Sequence, residues 1–108
     1  MSLAFGPVAL SIQRALIGEI LPQFRAICLS IADDAVTVTI SHDGALPQGT
    51  AEDLDSALTQ VYADFPELGG SNLTLHLGFE RHDTPSAIPI VGTPIFARKG
   101  TQFLVPAD

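Results

Sequence analysis

The chain has 108 residues and a formal net charge of −7; 46% of it is hydrophobic and 16% charged. That length fits one domain over 1–108 that can bury a core without disulfide or metal staples, and the composition excludes a disordered chain. The five basic residues (Arg14, Arg25, Arg81, Arg98 and Lys99) are scattered, so no stripe is available to neutralise phosphates and no nucleic-acid partner is expected. The single cysteine, Cys28, excludes an internal disulfide and a cysteine-rich zinc site. MSLAFGPVAL lacks the basic start of a secretory signal. The apolar stretch GPVALSIQRALIGEIL carries Arg14 and Glu19, which argues against a membrane span. A cytoplasmic protein with no membrane association is expected.

Pro7 to Leu21 reads as a helix. Ile12, Ala15, Leu16, Glu19 and Ile20 share one side, and Leu10, Ile17 and Leu21 widen the apolar stripe. Pro7 suits the first turn, Gly18 weakens the interior, and Pro22 ends the helix. Arg25 to Ile31 alternates, with Ile27, Leu29 and Ile31 on one face and Ala26, Cys28 and Ser30 on the other. After a turn at Asp33-Asp34, Val36, Val38 and Ile40 alternate with Thr37, Thr39 and Ser41. This predicts a hairpin with one dry and one polar face, closed by His42-Asp43-Gly44.

Thr50 reads as the N-cap of a second helix, with Asp53 in a capping-box position. Leu54, Ala57, Leu58, Val61, Tyr62 and Phe65 form its core stripe, and Pro66 and Gly69-Gly70 stop it. Leu73, Leu75, Leu77 and Phe79 give a third strand its dry face. The proline-rich DTPSAIPIVGTP follows, then a short strand over Ile95–Lys99, placed at a sheet edge by Pro94. FLVPAD adds a few paired residues. The expected fold is α+β in the order α-β-β-α-β-β: a mostly antiparallel four-stranded sheet with two helices on one face.

LHLGFERHD, residues 75–83, holds the densest chemistry. With Leu75, Leu77 and Phe79 inward, His76, Gly78, Glu80 and His82 face the other way. His76 and His82 are then roughly 20 Å apart, too far for one metal ion, while Glu80 and His82 are about 7 Å apart. His42 adds a third ligand only if the second and third strands are neighbours. His82-Asp83 and His42-Asp43 diverge as sequence neighbours in extended chain, so neither forms a base-and-carboxylate dyad. Cys28 has no assignable activating group. Ser11, Ser41 and Ser71 lack a nucleophile elbow, and LGGSN lacks a phosphate-loop lysine. No catalytic residue, metal site or cofactor is assigned.

Glu52, Asp53, Asp55, Asp64 and Glu67 lie along or just beyond the second helix, away from its apolar stripe. A solvated helix face accounts for them, and so does a platform steering a basic partner. The first helix, apolar around more than half its circumference, fits burial under the sheet plus a second copy, giving a homodimer; burial by the C-terminal tail is the alternative.

QRALIGEILPQFRAICLSI, a hairpin ending HDG and an acidic helix ending YADFPE together resemble a family of small bacterial proteins, the immunity proteins of contact-dependent or colicin-type toxin systems. The resemblance covers roughly residues 12–67 and rests on Arg14, Arg25, Asp43, Gly44, Asp64 and Phe65. The proline-rich loop 83–94 departs from it. The resemblance implies a protein, encoded beside a toxin, that binds the toxin domain and blocks it without chemistry. From the residues alone, Arg25 is expected to cap carbonyls after the first helix.

Three readings follow. The first is a non-enzymatic protein-binding module that meets a basic toxin or other basic partner through the acidic surface. The second is a small-molecule binder or enzyme using the polar sheet face of Cys28, Thr37, Thr39, His76, Glu80 and His82. The third is a structural homodimer.

Overall fold

A computed structural model describes residues 4–32, 35–69 and 74–104. The expected turn at Asp33-Asp34, Gly70, Ser71, Leu73 and the tail beyond Leu104 lie outside the described residues.

Helix α1 spans Phe5–Ala15, two residues earlier than the sequence suggests at its start and six at its end. Pro7 still sits in the first turn, where its missing N–H removes no helical bond. The early stop has a local cause. Gly18 adopts φ +88°, outside the helical region, and the Glu19 N–H closes a tight turn onto the Leu16 carbonyl. Gly18 is therefore a terminator in open space rather than a close-packing residue inside a helix.

Strands β1 (Phe24–Ala32) and β2 (Ala35–His42) form the expected antiparallel hairpin. The second helix is broken. Gly49, not Thr50, is its N-cap; Thr50 is its first residue, and the Thr50 hydroxyl bonds back to the Pro47 carbonyl. Helix α2 runs Thr50–Ala57 and α3 runs Thr59–Asp64, followed by a 3-10 turn over Pro66–Gly69. Leu54, Leu58 and Val61 carry the stripe into the core, while Tyr62 is partly exposed.

Strand β3 (Thr74–Arg81) lies parallel to β2, and β5 (Thr93–Ala97) lies antiparallel to β1. The sheet order is β3-β2-β1-β5, so two of the three pairings are antiparallel and β5 is an edge. Two short strands, β4 (Ile88–Pro89) and β6 (Phe103–Leu104), pair separately. The fold is α+β. One core joins Val8, Ile12 and Leu16 of the first helical arm and Leu54, Leu58 and Val61 of the second to Ile27, Leu29, Val36, Val38 and Ile40.

The opposite sheet face is not open to solvent as the alternation suggests. Ala26, Cys28, Thr39 and Ser41 are all buried there. The cover is the proline-rich segment, with Ile88 fully buried and Gly92 pressed against the Leu29 backbone. Arg25 fastens this cover. It stands at the register shift where β1 leaves step with β2, and its Nη1 donates to the His82 and Ser86 carbonyls, both at 2.7 Å. It caps carbonyls of the cover, not of the first helix.

Candidate functional site

The polar-face residues fall into different environments. Cys28 has no exposed surface, and burial pushes its thiol pKa up, with the Glu80 charge adding to the effect. Thr39, opposite Cys28 in the hairpin, is buried, and Thr37 is half-buried. His76 is exposed, with its ring nitrogen 3.0 Å from the Thr74 hydroxyl. Glu80 and His82 do come together, at 3.1 Å.

Strands β2 and β3 are neighbours, as a shared histidine site would require. His42, however, is buried on the helix-facing side, with its Nδ1 2.8 Å from the Gly44 carbonyl and its ring edge-on to Phe79. Among the described residues, no three His, Cys, Asp or Glu side chains gather where they could hold a metal ion.

The acidic residues divide as well. Glu52, Asp53 and Asp55 are exposed on α2, and Glu52 and Asp53 stand in its first turn, where a negative charge complements the helix dipole. Glu67 is exposed on the 3-10 turn. Asp64 has an internal role. It accepts from the buried Ser11 hydroxyl at 2.6 Å and from the Gln60 amide at 3.1 Å, which ties α3 to α1. The first helix leaves Phe5 and Leu10 partly exposed, and beyond its end Ile17 is 77% exposed.

A second charged group closes one end of the sheet. Arg81 grips Asp83 with two N–H···O bonds at 3.0 and 3.1 Å, and Asp83 also accepts from the Gly44 N–H at 2.7 Å. Asp43 accepts from the Thr84 hydroxyl and lies 3.4 Å from Arg98. The Thr84 bond holds the Asp43 carboxyl below its ordinary range, and the Arg81 bond does the same for Asp83. A carboxylate whose pKa is lowered by folding stabilises the fold above its unfolded value, about 3.9, and loses that contribution as pH falls through the folded value. The difference in melting temperature between wild type and the D43N/D83N double variant is therefore expected to be largest near neutral pH and to shrink below about pH 4. A difference independent of pH would remove these ion pairs from the stability account.

Two surface hollows flank the loop after α1. One, of about 200 Å³, is walled by Leu16, Ile17, Ile20, Ile27, Ile95 and Phe96. The Gln13 amide at its rim donates to the Ile95 carbonyl at 2.9 Å. The other, of about 250 Å³, is bordered by Gly18, Glu19, Leu21, Gln48 and Asp53. Neither is lined by the six polar-face residues. Sequence reasoning missed Ile95 and Phe96 as surface formers, because a strand reading assigns apolar residues to the core by default.

The structure is an α+β domain with its polar sheet face covered and with carboxylates and apolar side chains left on its surface. The chain matches the MafI2 immunity protein family over residues 7–100 and belongs to that family. The matched range extends past the 12–67 stretch on which the sequence resemblance rests and brackets residues 83–94. No curated protein matches the chain.

Proposed function

We propose that the chain is a non-enzymatic immunity protein that acts in the cytoplasm by binding a basic toxin domain through an acidic surface centred on α2. The family match over residues 7–100 carries this reading. The exposed carboxylates of Glu52, Asp53 and Asp55 and the net charge of −7 support the electrostatic part. Like-signed groups on one face attract an oppositely charged partner over distance and raise the association rate, in a way that salt screens. Glu67 adds an exposed carboxylate on the 3-10 turn, and Asp64 contributes charge while accepting from Ser11. Among the described residues, no helix is long and apolar enough to cross a membrane.

The test is calorimetric titration with the cognate toxin domain. Neutralising the three α2 carboxylates together (E52Q/D53N/D55N) is expected to weaken binding by roughly 10- to 100-fold at low salt and to flatten the salt dependence. Unchanged affinity in that variant would remove α2 from the interface.

A further inference from the structure

The six residues Leu16–Leu21 form a ridge between the two hollows. Leu16, Ile17 and Ile20 face the apolar one; Gly18, Glu19 and Leu21 face the acidic one. Helix α1 ends at Ala15, and Gly18 turns the chain at φ +88° within this ridge. Ile17 stands at the crest, 77% exposed, and Ile20 is 39% exposed beside it. One exposed isoleucine is unremarkable on a soluble protein. Two beside a hollow walled by Ile27, Ile95 and Phe96 make a continuous apolar patch.

Charge decides what covers it. Glu19 and Asp53 border the neighbouring cleft, neither has an ion-pair partner among the described residues, and no arginine or lysine lines either hollow. A second copy seated on the ridge about a two-fold axis would bring the same carboxylates against their counterparts, on a chain already at −7. A cationic partner meets no such opposition.

We propose that the Leu16–Leu21 ridge is an anchor point for the toxin, with a toxin apolar side chain filling the hollow beside Ile17 and an adjacent lysine or arginine entering the cleft between Glu19 and Asp53. This rests on the immunity reading above and gives the interface an apolar centre that the α2 carboxylates alone lack. Interfaces concentrate their affinity in a few buried anchors, while rim charges mainly tune the on-rate.

The experiment titrates the cognate toxin domain into wild type, I17R and E19Q, with thermal melts to confirm folding. Ile17 is so exposed that the arginine is expected to leave the melt unchanged. I17R fills the hollow's rim with a bulky cation and is expected to weaken binding about 100-fold, mainly through faster dissociation. E19Q is expected to weaken binding several-fold and to reduce the salt dependence. Toxin affinity in I17R within about twofold of wild type overturns the ridge. The immunity reading survives that outcome if the α2 triple variant still loses affinity. Wild type that binds no toxin overturns both. An I17R variant that turns a dimer into a monomer at unchanged toxin affinity also overturns the proposal, assigning the ridge to a second copy.

Discussion

Replacing Arg25 with alanine is expected to lower the stability of the fold by about 3 kcal/mol, through two carbonyls left without a donor and a void where the side chain lay. Arg25 is only 3% exposed, and among the described residues no carboxylate pairs with it. Its stabilising contacts are instead the Nη1 bonds to the His82 and Ser86 carbonyls. Those bonds hold the 82–86 segment against the sheet, while the Arg25 carbonyl accepts from the Arg98 N–H and the Thr101 hydroxyl. One residue thus holds the 82–86 segment through its side chain and the Arg98–Thr101 turn through its carbonyl. A buried cation is costly, however, and its Nε has no partner among the described residues. Arg25→Met, which keeps much of the volume and removes the charge, is accordingly expected to cost less than Arg25→Ala. Urea unfolding measures both. Cys28, fully buried on the covered face, supplies a local readout: its thiol is expected to label faster in Arg25→Ala than in wild type. Equal labelling and a stability change under about 0.5 kcal/mol would show that the cover is held by other contacts.

Gly92→Ala is expected to destabilise by about 2–5 kcal/mol, the sum of backbone strain and overpacking. Gly92 has φ +116°, a conformation that side chains with a Cβ rarely adopt, and an added Cβ would stand 2.7 Å from the Leu29 carbonyl oxygen. The backbone approaches this closely because Gly92 delivers the chain into β5, where Thr93 pairs with Leu29. Gly18→Ala is the control. Gly18 is also left-handed but stands in open space, so only the conformational cost of about 1–2 kcal/mol applies. Urea midpoints for the two variants should therefore separate clearly. Equal losses would show that the Leu29 contact relaxes freely.

The contrast between those glycines marks where the sequence was legible. Periodicity gave the hairpin, the inward Leu54, Leu58 and Val61, and the parity of β3, because each reflects a repeating geometry that burial imposes on one element. It could not give the parallel β2–β3 pairing, which depends on how the second helical arm crosses the sheet. It read Gly18 as an interior helix residue because apolar spacing continues through Ile17, Ile20 and Leu21; those residues belong instead to a ridge within which Gly18 turns the chain at positive φ. The covered sheet face was hidden for a different reason. Ala26 and Cys28 look like tolerable solvent-side residues, although small side chains are also what fits beneath a close-packed segment. Ile88 and Val91 within the proline-rich run were the available signal for that segment. The acidic residues were legible as a set, but the bond from Ser11 that draws Asp64 into the fold was not.

The most direct test of the central claim, that this chain neutralises a toxin by binding it, is to titrate the activity of the cognate toxin domain with wild-type protein and with E52Q/D53N/D55N side by side. Binding without chemistry predicts that activity falls in proportion to added wild type, reaches its floor at a fixed molar ratio, and needs a large excess of the triple variant at low salt. Toxin activity that persists at every ratio, or that is lost progressively with time under catalytic amounts of the chain, would contradict it.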